Sequence, residues 1–410
     1  MGAPRRVNLT DTFAPFSPPL VDFVEQIRYW ALAVPDQTAM RFLPRGEEAP
    51  IELTYQELDR RARAIAARLV SMGFKGQRAL LMFPSGLDFV EAFVGCHYAG
   101  VIPVPAYPPR RNRNVGRINA ISQDAEAAVA LTTEAVDMTS SKVLANAPAL
   151  KKLAWLTTET IPTEQSSDWV KPKIDPDTLA LIQYTSGSTG TPKGVLLTHR
   201  NLIANCDMIT YAFGMSQQCK SGVSWLPAYH DMGLIGGILN PLFFGGEMTL
   251  MSPVTFLTRP FRWLQAISKY QARISGGPNF SYRWCTKKIT HEECEKEGLD
   301  LSNWEVAFNG AEPVRSDVLH EFSEMFERYG FRHSSHYPCY GMAETALIVT
   351  GGQQSQPPVI RTFNKDELVQ YRVKKDELGN KSAVQLTGCG QVIPSEEIVI
   401  VHPEKKIPLK

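Results

Sequence analysis

Residues 184 to 194 read Tyr-Thr-Ser-Gly-Ser-Thr-Gly-Thr-Pro-Lys-Gly and follow the apolar run Leu179-Ala180-Leu181-Ile182, which is typical of a buried strand. Glycines let backbone amides approach an anion closely, hydroxyl groups add further donors, and a lysine supplies a mobile positive charge. The candidate phosphate ligands in this loop are Thr185, Ser186, Gly187, Ser188, Thr189, Gly190 and Lys193. The stretch therefore predicts a strand followed by a loop that holds a nucleoside triphosphate.

Two commoner motifs are excluded by counting positions in this loop. The Walker loop needs Gly-x-x-x-x-Gly-Lys-Ser/Thr, but Pro192 stands five residues after Gly187 and Lys193 precedes Gly194. The nucleophile elbow needs a serine two residues after its first glycine, where Thr189 stands. A polar turn between two strands is the remaining alternative, and it is disfavoured because eleven contiguous positions fit a phosphate loop.

Composition narrows the class of protein. The chain has 410 residues and 43% hydrophobic residues, which is enough for two or three subdomains. Its formal net charge of +1 argues against nucleic acid as the main partner. The seven cysteines are an odd number and form no Cys-x-x-Cys pair, which predicts reduced thiols, a cytoplasmic protein and no zinc site. No apolar stretch is long enough to predict a transmembrane segment.

Short apolar runs alternate with amphipathic patterns along the chain. Strands are predicted over 79–83, 129–131, 179–184, 194–198, 247–250 and 305–308. Helices are predicted over 87–98, 114–124, 200–213, 256–270 and 314–329. This alternation predicts an α/β fold with mostly parallel sheets covered by helices. The polar region 353–382 lacks sustained helical periodicity and is predicted to be an insertion or a surface-docked element.

Two further motifs follow predicted strands, where ligands bind in open α/β sheets. The first motif consists of Asn309, Gly310, Ala311, Glu312 and Pro313. Its small residues would let a flat base lie against the backbone. The second offers an aromatic face for stacking and a carboxylate for a metal bound to phosphate, in the run Tyr340, Gly341, Met342, Ala343 and Glu344. Taken singly, each motif has a simpler explanation that fits about as well. For 309–313 it is an ordinary strand-to-helix turn, and for 340–344 it is a core tyrosine with a solvated glutamate.

A fourth motif, Leu226-Pro227-Ala228-Tyr229-His230-Asp231-Met232-Gly233, precedes an apolar segment rich in glycine. Together with the phosphate loop, 309–313 and 340–344, it resembles the motifs of the adenylate-forming superfamily of acyl-CoA synthetases, luciferases and nonribosomal adenylation domains. This run, Gly276-Gly277-Pro278-Asn279-Phe280 and the 340–344 run resemble in particular the fatty acyl-AMP ligases. The resemblance implies two Rossmann-like αβα subdomains within 1–345 and the start of a smaller β-rich subdomain in 346–410, with the insertion at 353–382.

The resemblance also implies a reaction, in which a medium- or long-chain fatty acid and MgATP give an acyl-adenylate and pyrophosphate. The acyl group then passes to the phosphopantetheine of an acyl carrier protein. By this resemblance Lys193, His230 and Glu344 are catalytic, Thr189 and Glu344 hold Mg²⁺, and Tyr340 stacks on the adenine. The expected acyl tunnel is walled by Met232, Gly233, Ile235, Gly277 and Pro278. An acyl-CoA synthetase and a non-catalytic adenylate-binding protein are the alternatives.

Two departures from the family pattern matter. Many relatives have threonine where Ala343 stands, so a hydroxyl contact to the α-phosphate is missing or is supplied elsewhere. The chain ends at Lys410, before the family's ribose-binding aspartate, hinge and C-terminal domain with its catalytic lysine. We therefore expect a fragment of a longer enzyme that is poorly active alone.

A basic cluster follows Pro108-Pro109 and consists of Arg110, Arg111, Arg113 and Arg117. It could bind an acidic carrier protein or its phosphopantetheine arm. A solvated loop and helix start is the simpler interpretation.

Overall fold

A computed structural model describes residues 22–46, 49–108, 115–134, 136, 147–185, 192–216 and 220–409 of the chain. The described strands are β1 (Thr38–Leu43), β2 (Ile51–Thr54), β3 (Arg78–Met82), β4 (Ile102–Ala106), β5 (Val129–Thr132), β6 (Ala154–Thr157), β7 (Leu179–Thr185), β8 (Lys193–Thr198), β9 (Ser221–Ser224), β10 (Glu247–Met251), β11 (Ile274–Gly277), β12 (Val306–Asn309), β13 (His336–Gly341), β14 (Ile348–Gly351), β15 (Ile360–Asn364), β16 (Ala383–Thr387) and β17 (Gln391–Val392).

The described α-helices are α1 (Phe23–Ala33), α2 (Tyr55–Ser71), α3 (Leu87–Ala99), α4 (Gly116–Asp124), α5 (Pro148–Lys151), α6 (His199–Ala212), α7 (Asn240–Phe244), α8 (Pro253–Thr258), α9 (Phe261–Lys269), α10 (Asn279–Lys288), α11 (His291–Lys296), α12 (Ser316–Phe326) and α13 (Lys365–Val369). A π-helix covers Met232–Leu239, directly before α7. None of the described helices is long and apolar enough to cross a bilayer.

Two sheets organise the molecule. The larger has nine strands in the order β17-β14-β13-β12-β11-β9-β10-β1-β2, and its six strands from β13 to β1 are parallel. Strands β2, β14 and β17 are antiparallel additions at its two edges. The smaller sheet, β4-β3-β5-β6, is parallel throughout. The α/β fold with mostly parallel sheets is confirmed.

Most predicted elements form within a few residues of their expected bounds, but the helix predicted over 256–270 does not. The structure has two helices there, α8 and α9, separated by Arg259 and Pro260. Proline lacks the backbone N–H and its ring clashes with the preceding turn, so the chain turns and a second helix starts. The apolar period continues across the break because both helices cover the same core cluster.

The region 353–382 forms part of a small unit outside the main sheets. Strands β15 and β16 pair antiparallel, from Ile360↔Thr387 to Asn364↔Ala383, and α13 begins where β15 ends. The hydroxyl of Ser316 on α12 donates to the side-chain oxygen of Gln385, 3.0 Å away. Apolar residues of this unit do not all dock on the body as expected, because Tyr371 is 98% exposed and Val369 is 75% exposed.

A buried polar cluster joins the helices α1, α2 and α3. The Asp59 carboxylate on α2 is buried and pairs with Arg28 and Arg63, each at 2.9 Å. The hydroxyl of Tyr98, itself fully buried on α3, donates to the same carboxylate at 2.9 Å. A buried carboxylate is tolerated only when its oxygens are paired in this way.

Replacing Asp59 by alanine is expected to lower the free energy of unfolding by about 2 kcal/mol or more, because the Tyr98 hydroxyl and two guanidinium groups lose their partner. Urea denaturation measures the change. The matched control is Asp177→Ala, which removes an ion pair with Arg200 whose side chains are both more than half exposed. The control should leave stability unchanged within error, and equal losses in both variants would contradict the assignment.

Candidate active site

The expected phosphate loop starts and ends on paired strands. Thr185 at the end of β7 lies opposite Lys193 at the start of β8 in an antiparallel ladder. The predicted ligands Ser186, Gly187, Ser188, Thr189 and Gly190 lie outside the described residues. Lys193 is exposed, and no hydrogen-bond or ion-pair partner of its ammonium group occurs in the described parts of the chain. Its charge is therefore available beside the loop.

The turn that carries His230 is held against the end of β7. The side chain of Gln183 on β7 donates to the carbonyl oxygen of Tyr229 at 2.9 Å. The His230 amide donates to the Pro227 carbonyl, and the His230 carbonyl accepts from Leu234 in the π-helix. These bonds hold the His230 turn against β7, and the His230 ring lies 5.0 Å from that of Tyr229.

Three charged groups surround the imidazole and act on one another. Loss of hydration in the cleft lowers the pKa of His230, the Asp231 carboxylate opposes this shift, and the Arg117 guanidinium adds to it. Burial raises the pKa of Asp231, and the charge of the Glu344 carboxylate raises it further. These interactions place His230, Asp231, Glu344 and Arg117 within electrostatic reach of one another, and the lowered pKa of His230 favours its neutral form at pH 7.

The segment after Glu344 is fixed by one buried side chain on α6. The amide nitrogen of Asn205 donates to the carbonyls of Thr345 and Ile348, at 3.1 and 2.9 Å, and its oxygen accepts from the Ile348 amide at 3.0 Å. Ala346 between them has φ of 66°, which is unfavourable for any residue with a Cβ. The Asn205 bonds stabilise this turn and so determine where Glu344 lies.

The expected nucleotide-binding residues meet at the ends of β12 and β13. Gly310 is buried, whereas Ala311, Glu312 and Pro313 are exposed, and Ala311 has φ of 68°. Glu312 accepts a hydrogen bond from the Phe280 amide at 2.6 Å, which ties this turn to α10. Strain in the backbone beside a pocket is common where a ligand is bound.

The second nucleotide-binding run forms the opposite side of the same opening. The Tyr340 ring is about half exposed and lines a cavity together with Gly310, Ala311 and Gly341. A Cβ on Gly341 would lie 1.9 Å from the Leu347 carbonyl oxygen, so only glycine fits there. Met342 is exposed and Ala343 is buried, and Asn309 is buried at the end of β12.

The cavity beside Tyr340 is mostly apolar. Asp231 and Met232 stand at its polar side, and Gly236 of the π-helix faces into it. A Cβ on Gly236 would meet only the end of the Leu347 side chain, at 3.3 Å, so this glycine keeps the cavity open. The other walls come from Ile209, Phe213, Phe308, Cys339, Leu347 and Ile348.

The predicted tunnel residues are not all found at this cavity. Met232 lines it, but Gly233 lines a second cavity on the other side of the π-helix, and Ile235 is fully buried in the core. Gly277 faces the Trp225 ring, and neither it nor Pro278 lines either cavity. A π-helix is wider than an α-helix and often occurs at functional sites, which fits a wall between two cavities.

Sequence reasoning missed two residues that the structure brings to the site. Asp231 was visible in the quoted motif directly after His230, and its polar character beside an apolar run was the signal. Asn205 gave no local signal, since its partners are over 100 residues away in sequence. Arg117 was singled out only as part of the basic cluster, and the structure brings it to the end of β7, where its guanidinium donates to the Thr185 carbonyl. Arg110, Arg111 and Arg113 of the basic cluster lie outside the described residues.

The site contains oxygen donors of the type that Mg²⁺ prefers. Glu344 is exposed at the opening, and its carboxylate lies near enough to Asp231 to raise the pKa of that group. Two carboxylates close together favour a cation between them or beside them. No group of three histidine, cysteine or acidic side chains in the described ranges forms a complete metal site. Substrate phosphates would have to supply the remaining ligands.

The described site combines an α/β fold with a turn of small residues at Gly310 and a half-exposed tyrosine, Tyr340, beside one cavity. The model of the AMP-binding enzyme family matches residues 27–410. The chain therefore belongs to the AMP-binding enzyme family.

Two similar proteins of this family are named as fatty acid ligases. The chain is 40% identical to the medium-chain-fatty-acid–[acyl-carrier-protein] ligase JamA of Moorena producens, over 94% of this chain and 65% of that protein. It is 34% identical to the long-chain-fatty-acid–AMP ligase FadD32 of Mycolicibacterium smegmatis, over 93% of this chain and 61% of that one. The chain thus spans less than two thirds of the length of both ligases.

A solved structure of a similar protein has the same fold. The fatty acyl-adenylate ligase from L. pneumophila in complex with acyl adenylate and pyrophosphate superposes with a TM-score of 0.87 at 39% identity. The match covers 95% of this chain and 66% of that one. The similar sequences and the similar structure both agree with the resemblance of the motifs to fatty acyl-AMP ligases.

Replacing Asp231 by asparagine is expected to lower the pKa of His230 further. The Asp231 carboxylate is the neighbouring charge that favours the protonated imidazole, so its removal leaves only effects that favour the neutral ring. NMR titration of protein labelled at the histidine ring carbons measures the shift, and the His230→Asn variant identifies the signal. An unchanged or higher pKa in Asp231→Asn would show that the two side chains are too far apart to interact.

Proposed function

We propose that this protein converts a medium- or long-chain fatty acid and ATP into a fatty acyl-adenylate and pyrophosphate. The acyl group is then transferred to the phosphopantetheine thiol of an acyl carrier protein. The observation that carries the proposal is the apolar cavity that opens between Tyr340 and Asp231, beside the nucleotide-binding turn at Gly310. An alkyl chain in that cavity brings its carboxylate to the polar side, where the α-phosphate of ATP lies.

Positioning and charge supply the catalysis in this reaction. The fatty acid carboxylate attacks the α-phosphorus, the bond to the β-phosphate breaks, and pyrophosphate leaves with the electron pair, so no protein nucleophile is needed. Holding the two reactants in line replaces a bimolecular encounter. The lowered pKa of His230 favours the neutral imidazole, whose ring N–H donates to a carboxylate or phosphate oxygen without adding a charge, while Lys193 balances charge on the phosphates.

Glu344 and Thr189 are the residues that we propose for Mg²⁺, with the phosphate oxygens of ATP as further ligands. The ion, when bound, neutralises charge on the phosphates and polarises the bond that breaks. Glu344 is suited to this role because the Asn205 bonds fix the turn that follows it. Tyr340 stacks on the adenine, and the exposed face of its ring supports that role.

The carrier protein is proposed as acceptor because JamA is named a fatty acid–[acyl-carrier-protein] ligase. Coenzyme A carries the same phosphopantetheine thiol and is the alternative acceptor. The described cysteines are all free, which agrees with a cytoplasmic location for the protein. A binding protein without turnover is disfavoured because Lys193, His230 and Glu344 are all present and exposed at the opening.

Incubating the protein with MgATP and fatty acids of graded length should release pyrophosphate and give acyl-adenylate. His230→Ala and Glu344→Gln are expected to slow this step by about a hundredfold, because each removes a contact to the charge that develops on phosphate. Both side chains are exposed, so thermal unfolding should be unchanged.

His291→Ala is the matched control, since it removes an exposed histidine on α11. Wild-type rates in both site variants, or loss of the fold in both, would contradict the assigned roles. Because this chain is expected to be poorly active alone, the assay uses protein in excess over fatty acid and long incubation, and absence of acyl-adenylate with every fatty acid under those conditions would contradict the proposed function itself.

We also propose that the unit built from β15, α13 and β16 determines the acceptor. Gln385 in β16 contacts Ser316 at the start of α12, three residues after Pro313 of the nucleotide-binding turn. The unit therefore projects from the body beside the nucleotide end of the site. Its exposed Val369 and Tyr371 leave a surface that controls the approach of a thiol donor.

Deleting residues 365–382 and joining Asn364 to Ala383 with an Asn-Gly turn should preserve the two-stranded pairing, because these residues face each other in the ladder. Acyl-adenylate formation should continue, and coenzyme A should become an acceptor beside the carrier protein. A second variant, Val369→Ser with Tyr371→Ser, keeps the length of the unit and should also admit coenzyme A if these two exposed side chains control the approach of the thiol. Efficient acyl-CoA formation by the unaltered protein would favour the synthetase alternative, and an unchanged acceptor after deletion would exclude this role for the unit.

A further inference from the structure

We propose that a surface built from α8 and α10 docks on an anionic lipid bilayer, from which the protein takes its fatty acid. We call this surface the lipid face. Its apolar part consists of Val254, Leu257, Phe280 and Trp284, and its charged part consists of Lys287 and Lys288. The uptake of a fatty acid rests on the proposed function above, whereas docking on lipid does not depend on it.

The apolar part of the lipid face is contiguous because two helices meet at it. Val254 and Leu257 are three residues apart and lie on one side of α8. Phe280 and Trp284 are four residues apart and lie on one side of α10. The Trp284 indole N–H donates to the Leu257 carbonyl at 3.2 Å and so joins the two sides. Val254, Leu257 and Phe280 are nevertheless 57, 46 and 42% exposed, and a cluster of exposed apolar side chains marks an interaction surface.

Polar groups in and beside this face already have partners within the protein. Besides the indole N–H, the Thr258 hydroxyl at the end of α8 donates to the Val254 carbonyl at 2.8 Å. The guanidinium of Arg259, the next residue, pairs with the Glu293 carboxylate at 2.8 Å. A surface that enters a bilayer must satisfy its polar groups internally, because hydrocarbon offers them no partner. A protein partner would instead form direct hydrogen bonds to such groups, so lipid is the favoured occupant.

The basic end of α10 gives the lipid face its charge. Lys287 and Lys288 are exposed in the last turn of the helix, and the Lys288 ammonium lies 4.9 Å from the centre of the Trp284 ring. Among the residues that the structure describes, no carboxylate lies within ion-pair distance of either ammonium group. Tryptophan and lysine together suit a membrane–water interface, where the ring lies at headgroup level and the ammonium extends to the phosphates. Anionic headgroups complement this charge.

The lipid face adjoins the turn that borders the apolar cavity. The Phe280 amide donates to the Glu312 carboxylate at 2.6 Å, and Ala311, the residue before Glu312, lines the cavity together with Tyr340. An ionised fatty acid in a bilayer keeps its carboxylate at the headgroups and its alkyl chain in the hydrocarbon. Docking by this face therefore brings the cavity close to the surface in which the fatty acid is dissolved.

Co-sedimentation with lipid vesicles tests the docking. The probes are vesicles of phosphatidylcholine alone and vesicles of phosphatidylcholine mixed with phosphatidylglycerol. The 410-residue chain is expected to bind the mixed vesicles more tightly, and high salt should weaken that binding because it screens the lysine charges. Lys287→Gln with Lys288→Gln should weaken binding to the mixed vesicles by about tenfold. Val254→Ser with Leu257→Ser should weaken it by about tenfold or more, since two apolar side chains no longer enter the bilayer.

Each variant has a matched control elsewhere on the surface. Leu32→Ser with Val170→Ser removes two exposed apolar side chains, and Lys151→Gln with Lys152→Gln removes two adjacent exposed lysines. Both controls should bind vesicles as the unaltered chain does, and thermal unfolding should be unchanged in all four variants because every altered side chain is exposed. Absence of binding by the unaltered chain, or equal weakening in the variants and their controls, would overturn the proposal.

The same variants distinguish lipid from two other occupants, a second copy of the chain and an acyl carrier protein. Sedimentation velocity reports the oligomeric state, and titration with a carrier protein reports its affinity. Val254→Ser with Leu257→Ser should leave both unchanged. A dimer that this variant dissociates, or loss of carrier-protein binding with vesicle binding intact, would assign the face to that partner and overturn lipid docking.

Failure of the two proposals can be told apart by supplying the fatty acid in two forms, dissolved in buffer and incorporated in the mixed vesicles. The lipid-face variants should form acyl-adenylate more slowly than the unaltered chain only from the vesicles. If the unaltered chain binds vesicles but forms no acyl-adenylate from either source, the proposed function is wrong and docking stands. If variants and unaltered chain use both sources at equal rates, only the role of the lipid face is wrong.

Discussion

Parallel pairing of β9, β11, β12 and β13 determines where the polar groups of this site lie. In a parallel sheet all carboxyl ends lie at one edge, so the turns after these strands meet in space although they are far apart in sequence. The His230 turn follows β9, the Gly310 turn follows β12, and Glu344 follows β13. The apolar strands and helices below this edge form the core that keeps the register fixed.

Single buried polar side chains then hold the loops at that edge. Gln183 bonds the carbonyl before His230, and Asn205 bonds both sides of the turn after Glu344. Each such bond sits in low dielectric, where leaving a carbonyl unpaired is costly. Ala311 and Ala346 retain positive φ values under these restraints. The His230 turn and the turn after Glu344 are thus held by hydrogen bonds within the protein, which suits catalysis by positioning.

The site has a polar end and an apolar end, and the π-helix between them separates two environments. Met232 and Gly236 face the apolar cavity, while Asp231 at its start belongs to the charged group around His230. The low dielectric of the cavity raises the pKa of Asp231 and strengthens every charge interaction nearby. A molecule with an alkyl chain and an ionised head fits this combination. In the reaction proposed above, the reacting atoms would lie where the two environments meet.

The sequence by itself determined the α/β class, the order of its elements and four motifs, because apolar periodicity and turn chemistry are local properties. Through the resemblance of their motifs to one family, it also predicted that His230, Gly310, Tyr340 and Glu344 belong to one site. Tertiary structure alone decided that Gly236 rather than Gly277 lines the apolar cavity, and that Asn205 and Arg117 reach the site. Those outcomes depend on which helix face meets which strand end, and such packing is a property of the folded chain that no local window of sequence contains.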